Sequence, residues 1–364
     1  ATCPGFYPDS SDFMTQKIAL ISSLKFRPAH LSHLIASYRQ FEDLGYQSIL
    51  FIHPDFIPFL PIGIHYCTSL NKNISYSVAL FWFPCLKNIF AMWRLRSVYK
   101  STVLYVIHEP VEKYSVYRSA GNGHWETIKI FLKNYVNVLM TMLSHKILLP
   151  SKKAVELYEN NHYDRINSDY HYFPLIYDDE YLSKAEDRRF FSYIGNISQD
   201  HAFDNYVDCI SFFEEKRLFE SELSFLIATK STVKITPKVK TLLSSGRLII
   251  VDGKPMSNAE INSYYQQSFI VWNAYSRSTQ SGVLVKSLMF GTPAIVMRYN
   301  QSEFIQNNKA VVAIDSNMDY IEISNAVRLI LDNFQRYSAD AREIFKRYFF
   351  YKNSNEVLAA IISD

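Results

Sequence analysis

The chain has 364 residues, 48% of them hydrophobic and 20% charged, a composition that excludes intrinsic disorder and is sufficient for two domains. Its net charge of +3 is too small to indicate nucleic-acid binding. No run of about 18 apolar residues predicts a membrane span, and no signal-peptide pattern opens the sequence, so we expect a cytoplasmic protein. Residues 1–13 are expected to be an extension outside the fold, because a clean apolar strand begins only after Met14.

Strands and helices alternate in the first half of the chain. Residues 17–23 form a short apolar run typical of a buried strand, and apolar residues at helical spacing follow it until Gly45. Residues 48–53 then predict a second strand. This repeated βα pattern predicts a parallel sheet covered by helices on both faces, with ligands bound at the carboxyl ends of the strands.

A further apolar run, residues 102–107, predicts a strand that delivers His108 and Glu109 to this edge. A carboxylate that is partly desolvated there has a raised pKa, which suits a general base, so His108 and Glu109 are the candidate catalytic residues. The alternative is that Glu109 caps a following helix or pairs with Lys113. Later in the first half of the chain, residues 128–143 predict a long helix with an apolar stripe.

The second half repeats the alternation after a connector. Residues 190–194 predict a strand that enters a loop at Gly195 and Asn196. Residues 223–228 predict another strand, followed closely by Lys230, and a third apolar run comes at 248–251. The second half is therefore expected to form a second parallel sheet.

The stretch 268–293 carries the richest pattern: a strand, a polar loop with Arg277, a short helix that starts near Ser281, and a Gly-Thr-Pro stop. A helix that begins after a strand offers unpaired N–H groups and the positive end of its dipole, which together bind anions such as phosphate. Gly282 belongs to that first turn, and Lys286 lies one turn further on. The alternatives are an exposed lysine on a surface helix for Lys286 and a plain surface loop for Arg277.

This order of elements, closed by Gly291, Thr292 and Pro293, resembles the donor-site signature of GT-B glycosyltransferases, especially the retaining family four. In that family a Glu opens the helix and a second Glu follows eight residues later. Ser278 and Lys286 stand at those positions here, so both acids are missing. The resemblance implies an α/β fold of two Rossmann-like domains that face each other across a cleft. It assigns 14–172 to an acceptor-side domain, 173–341 to a nucleotide-sugar-binding domain and 342–364 to a helix that crosses back.

The same resemblance implies roles for individual residues. Lys286 would contact the diphosphate or ribose, with backbone N–H groups from Ser281 and Gly282, while Arg277 and Ser278 would face the donor sugar. The family carries a basic residue just after the glycine of the first loop, so Asn196 is a departure. The remaining donor-side candidates are Gly195 and Asn196, which would approach the phosphates or the acceptor, Lys230, which would restore the missing charge, and Glu303, which would touch the nucleotide or cap a helix.

GT-B enzymes neutralise the departing diphosphate with cations and helix N-termini, so we expect no metal and no cofactor. His30 and His33 have the helical i, i+3 spacing of metal ligands, but no carboxylate that could complete a metal site lies nearby in sequence. We therefore expect no metal site at these histidines. The donor would be a UDP, GDP or dTDP sugar, and the sequence does not choose among these bases.

Residues 81–100 interleave aromatic side chains with Lys and Arg, as in a helix that lies on an anionic membrane surface. A core helix with a basic outer edge is the alternative. The expected function is transfer of a sugar to a lipid-linked or glycan acceptor in bacterial surface polysaccharide synthesis. A nucleotide-sugar epimerase of the same fold and an inactive GT-B subunit that binds glycan or a partner are the other candidates.

Overall fold

A computed structural model describes residues 17–26, 30–108, 110, 112–119, 123–181, 187–277, 281–300 and 309–363. Its contacts divide the chain into two compact units. The first contains the described residues up to Arg118, Gly123–Asp178, and the chain from Phe350 onwards, and the second contains Asp179–Phe349. The expected extension, 1–13, lies outside the described residues.

The first unit is built on a parallel sheet in which seven strands are described, in the order β3-β2-β1-β4-β5-β6-β7. Helices connect most of these strands and cover the sheet, as the βα pattern predicts. The elements are β1 (Ile18–Ser23), α1 (Leu31–Asp43), β2 (Gln47–Ile52), β3 (Tyr66–Cys67), β4 (Val78–Trp82), α2 (Leu86–Ser97), β5 (Thr102–Val106), α3 (Tyr114–Ser119), α4 (His124–Leu143), β6 (Lys146–Leu149), α5 (Lys152–Asn160) and β7 (Tyr170–Tyr172).

The second unit has a parallel sheet with six described strands in the order β10-β9-β8-β11-β12-β13. Aromatic residues such as Phe191, Tyr206 and Trp272 fill its core. The elements are β8 (Phe190–Ile194), α6 (Phe203–Glu215), β9 (Ser224–Ala228), α7 (Pro237–Ser244), β10 (Leu248–Val251), α8 (Asn258–Gln266), β11 (Ser268–Asn273), α9 (Gly282–Met289), β12 (Ala294–Met297), β13 (Val311–Ile314), α10 (Tyr320–Asp332) and α11 (Phe334–Tyr348).

The end of the chain returns to the first unit as a short 3-10 turn and α12 (Asn355–Ser363). Gln40 of α1 donates from Nε2 to the carbonyl of Tyr351, at 3.3 Å, and to the hydroxyl of Ser354, at 3.1 Å. The Tyr351 amide donates to the carbonyl of Tyr177 at 3.0 Å. The region 342–364, expected as one crossing helix, thus contains the end of α11 and the separate helix α12.

The segment 81–100 is not one interfacial helix. Its first residues complete β4, which pairs with β1 and β5 in the interior of the sheet, so Trp82 is buried, as is Phe83 just after the strand. Pro84 separates β4 from α2, because proline cannot continue the strand's hydrogen bonding. On α2, Phe90 and Trp93 are exposed. Over the described residues, the structure contains no helix with the length and apolar character needed to cross a membrane.

Candidate functional site

The order of the strands reverses beside β8 in the second sheet. The chain moves from β8 outward to β9 and β10, and then returns to the other side of β8 with β11. Open parallel sheets bind ligands at the carboxyl ends of the strands, where the order reverses in this way. The two loops that leave this point are residues 195–202 after β8 and the loop after β11, which is described as far as Arg277.

Gly195 brings the backbone of the first loop against the start of α9. It has a φ of +138°, and a Cβ at this position would lie 3.4 Å from Val283 Cγ2 and 3.9 Å from the Tyr275 hydroxyl. The positive φ favours glycine here, while a Cβ would be in ordinary van der Waals contact with both side chains. The carboxyl end of β8 and the first turn of α9 are therefore neighbours.

Ser281 caps the amino end of α9. Its Oγ accepts from the amide of Leu284 at 3.3 Å and from Asn273 Nδ2 at 2.8 Å. The adjacent Tyr275 side chain is buried, and burial raises the pKa of its phenol, which stays neutral. Among the described residues, the amino end of α9 thus lies beside the uncharged side chains of Asn273, Tyr275 and Ser281.

The two loops are held together by side chains. The ring of His201 stacks on Tyr275 with a centroid distance of 4.2 Å. His201 Nδ1 lies 2.9 Å from the carbonyl oxygen of Asn196. Because a carbonyl only accepts, Nδ1 carries the hydrogen in this contact. In addition, Arg277 Nη1 lies 3.9 Å from Asp200 Oδ2.

The interpretation of the sequence missed His201. Nothing in its neighbourhood sets it apart from an ordinary loop histidine, since its partner Tyr275 lies more than seventy residues away in the chain. Only the stacking on Tyr275 and the contact with Asn196 bring it to the site.

Lys286 is a buried cation. It is 7% exposed, and its Nζ donates to Asn258 Oδ1 and Asn262 Oδ1 of α8, each at 3.1 Å. Burial lowers the pKa of Lys286, and the nearby Glu180 opposes this shift. The alternative of a solvated lysine on a surface helix is therefore wrong. Two of the three ammonium donors bind amide oxygens, so Lys286 links α9 to α8.

Other donor-side candidates are dispersed. Lys230 follows β9 at the same edge of the sheet, and its side chain is exposed. Asn196 contributes its carbonyl, which accepts from both His201 and the Tyr193 hydroxyl. The predicted residues Ser278 and Glu303 lie outside the described residues.

The Gly-Thr-Pro sequence fixes the far end of α9. Thr292 is fully buried, and its Oγ1 donates to the carbonyl of Tyr265 at 2.7 Å and accepts from Arg188 Nη1 at 2.7 Å. Arg188 also donates to the carbonyl of Phe290 at 2.5 Å. Gly291 has a φ of +62°, and a Cβ there would lie 2.8 Å from Ser338 Oγ. These contacts determine where the amino end of α9 points.

In the first unit, strand order reverses between β1 and β4, and His108 follows β5 at the same edge. The half-buried ring of His108 lies 5.8 Å from that of Phe83 and 6.4 Å from that of His33, measured between centroids. Its Nδ1 is buried and has no hydrogen-bond partner among the described residues. Glu109 lies outside the described residues.

Phe83 is held in an unusual backbone conformation at this edge. Its φ of +65° is rare for a residue with a side chain, and its carbonyl accepts from Asn88 Nδ2 at 3.0 Å. His33 Nδ1 contacts the carbonyl of Ile176 at 3.1 Å. Within the described ranges, no group of three or more His, Cys, Asp or Glu side chains is arranged to hold a metal ion.

Comparison with solved structures identifies the fold. The chain is similar to sucrose-phosphate synthase from Thermosynechococcus elongatus, with a TM-score of 0.69 and 12% identity over 96% of this chain and 98% of that one. It is similar to a glycosyltransferase from Rickettsia africae, with a TM-score of 0.66 and 11% identity over 96% and 98% of the two chains. HepE from Anabaena, solved with UDP and glucose, has a TM-score of 0.65 and 10% identity over 96% and 100%.

No protein-family model matches the sequence, and a search of curated proteins finds no match. The two parallel sheets and the likeness to these structures confirm the predicted two-domain α/β fold. At these identities the likeness concerns the fold, and the function has to be argued from the site.

Proposed function

We propose that the chain is a glycosyltransferase that moves a sugar from a nucleotide diphosphate sugar to a lipid-linked or glycan acceptor in bacterial surface polysaccharide synthesis. The observation that carries the proposal is the position of Gly195 next to the capped amino end of α9, beside the strand-order reversal of the second sheet. That arrangement suits a diphosphate, because helix N-terminal dipoles and amides bind anions. HepE, which shares the fold, was solved with UDP.

In the proposed reaction, an acceptor hydroxyl oxygen attacks the anomeric carbon of the donor. The bond from that carbon to the diphosphate oxygen breaks, and the nucleotide diphosphate leaves with the electron pair. The dipole of α9 would stabilise the charge that develops on the leaving group, together with Lys286, Arg277 and Lys230. We further propose that Glu109 or His108 takes the proton of the acceptor hydroxyl, which favours an inverting displacement. No metal is needed in this scheme.

The experiment that tests the donor site is a thermal-shift series with UDP, GDP, dTDP and CMP. A bound nucleotide raises the unfolding temperature by an amount set by its concentration relative to Kd. We expect one diphosphate to stabilise the protein, and Lys286→Met to weaken its binding by roughly 1–3 kcal/mol, the range for a lost charge-assisted hydrogen bond. The control is Lys234→Met, which removes an exposed lysine that lies outside the proposed site.

Three outcomes separate the candidate functions. Hydrolysis of a nucleotide sugar, or its transfer to an added glycan, supports the enzyme. Interconversion of the free nucleotide sugar with its epimer identifies an epimerase instead. Diphosphate binding with no turnover of the corresponding nucleotide sugar points to a binding subunit, an alternative that the absence of both family acids at positions 278 and 286 leaves open. If none of the four nucleotides binds, the assignment of this site is wrong.

A further inference from the structure

Helix α4 exposes apolar residues and buries polar ones. Its exposed apolar residues lie on one stripe at helical spacing, with exposed fractions from 45% for Leu139 to 75% for Trp125. The buried side includes Thr127, Asn137 and Thr141, each at most 1% exposed. A surface helix of a globular protein has the opposite arrangement. The exposed stripe consists of Trp125, Leu132, Tyr135, Leu139 and Met142.

The buried polar side chains of α4 are hydrogen-bonded, which fixes the orientation of the helix. The Tyr105 hydroxyl of β5 donates to Asn137 Oδ1 at 2.8 Å. Thr141 Oγ1 donates to the Asn137 carbonyl at 2.9 Å, and Thr127 Oγ1 donates to the Gly123 carbonyl at 3.0 Å. Rotating α4 to bury its apolar stripe would break the bond to Tyr105 and leave a buried phenol without its partner.

Helix α2 packs beside α4 and extends the apolar stripe. Arg96 of α2 donates to the carbonyls of Met142, at 2.9 Å, and Ser144, at 3.3 Å, which joins the carboxyl ends of the two helices. On α2, Leu86, Phe90 and Trp93 are exposed at i, i+4 and i+7. We call these three residues and the five of α4 the α2/α4 face.

The α2/α4 face is larger than an ordinary apolar patch. With side chains of this size, its eight residues expose roughly 1,000 Å² in all, above the roughly 300–600 Å² of the largest patch on a typical soluble monomer. Patches of that size mark contacts with a protein or a membrane. The charges around the face decide between the two.

Cations accompany the α2/α4 face. The sequence of α2 contains three Lys or Arg and no acid, and that of α4 contains two Lys and one Glu. Lys87 and Lys129 are exposed and flank the two stripes at helical spacing. Symmetrical contact with a second copy would place the same cations opposite one another. An anionic lipid surface attracts them instead, by about fivefold in partitioning for each Lys or Arg.

We propose that the α2/α4 face docks on an anionic membrane surface, with its apolar residues in the headgroup region and Lys87 and Lys129 on the lipid phosphates. Most of this surface belongs to α4, outside the segment 81–100 in which the sequence suggested membrane contact. The inference rests on this face alone and does not depend on which reaction the second unit supports.

The first test is binding of the full chain to vesicles of phosphatidylcholine, with and without phosphatidylglycerol. We expect at least tenfold stronger sedimentation with the anionic vesicles, and a loss of binding as salt is raised. Trp93 and Trp125 are exposed, whereas Trp82 and Trp272 are buried. A blue shift of tryptophan emission and quenching by brominated lipid therefore report on the α2/α4 face.

The matched variants are two pairs of substitutions at similar exposure. Leu132→Glu with Leu139→Glu alters α4 at positions that are 61% and 45% exposed. Ile321→Glu with Leu329→Glu alters α10 of the second unit at 59% and 43% exposure. We expect the first pair to weaken vesicle binding at least tenfold and the second pair to leave it unchanged. If the α4 pair folds poorly, Leu132→Ser with Leu139→Ser removes the same apolar contacts without adding charge.

Three results would overturn the proposal. One is a parent chain that binds neither kind of vesicle at low salt. Another is equal loss of binding in the α4 and α10 pairs. The third is a dimer in solution that the α4 pair converts to a monomer, as measured by light scattering, because the occupant of the face would then be a second copy of the chain.

Discussion

The fold leaves little room for a side chain at Gly291, and replacing this residue gives a sharp test of how α9 is held. A Cβ at Gly291 would lie 2.8 Å from Ser338 Oγ, 3.1 Å from Arg342 Cγ and 3.2 Å from the Ser338 carbonyl oxygen, all on α11. At Gly246, between α7 and β10, a Cβ would have no atom within 4 Å. Both glycines have a positive φ, +62° and +75°, so both replacements carry the same backbone penalty.

The expected magnitudes follow from these contacts. Alanine in the left-handed region costs about 1 kcal/mol, and this is the whole effect expected for Gly246→Ala. Gly291→Ala adds the cost of forcing α9 and α11 apart, about 1–3 kcal/mol for overpacking. We therefore expect Gly291→Ala to lower the free energy of unfolding by about 2 kcal/mol more than Gly246→Ala.

Urea denaturation of the two variants measures this difference. Tryptophan fluorescence is a suitable signal, because Trp272 lies fully buried in the core of the second unit, where both glycines are located. For a unit of this size the difference also corresponds to roughly 4–8 °C in unfolding temperature. Equal destabilisation by the two variants would show that α9 and α11 separate at little cost. The conclusion that the Gly-Thr-Pro sequence fixes the position of α9 would then be refuted.

Three further predictions concern the charges and the chemistry. Burial lowers the pKa of Lys286 below 10.5. Between that lowered pKa and 10.5 the unfolded chain binds more protons than the folded chain, so the free energy of unfolding, relative to that of Lys286→Met, should rise with pH. If the difference between the two unfolding free energies falls with pH instead, the prediction is wrong. Turnover in excess chelator should equal turnover in magnesium, and a loss that divalent ions restore would require a metal in the mechanism. Glu109→Gln should lower kcat by about 10²–10⁴ while nucleotide affinity is kept, and NMR should find an inverted anomeric configuration in the product. Near-normal kcat in that variant, or a retained configuration, would argue for the retaining mechanism.

Local patterns were enough to predict most strands of both sheets. The apolar run 190–194 coincides with β8, because a short buried parallel strand is apolar on both faces. The run 248–251 coincides with β10, although this edge strand exposes Ile249. The apolar pattern does not separate β4 from α2, because Phe81 and Trp82 precede a helix of similar composition. Pro84 is the only local sign of the boundary.

The orientation of α4 could not be predicted from its sequence. The helix is apolar around most of its circumference, so the periodicity of 128–143 does not say which stripe faces the sheet. The choice depends on Asn137, whose partner Tyr105 lies on β5. A hydrogen bond between distant parts of the chain therefore decides which residues are exposed.

Some residues of the candidate site could be predicted from local sequence, and others depend on distant parts of the chain. Gly195 and Ser281 carry local signals, since a glycine after a strand and a serine before a helix have recognisable roles. The surroundings of Lys286 are not local: its partners Asn258 and Asn262 lie on α8, and an isolated lysine in a sequence looks the same whether buried or exposed. The same holds for His201.

The return of the chain to the first unit sets an order for its folding during synthesis. Residues 179–349 leave the ribosome as one continuous stretch, so the second unit can complete its core before the residues from Phe350 onwards are synthesised. The first unit begins earlier but finishes later, because Gln40 finds its partners Tyr351 and Ser354 only after the second unit has been synthesised. Truncation of the chain before Phe350 would therefore destabilise the first unit and leave the second unit folded. Termination just before Phe350 should expose the buried surface of α1.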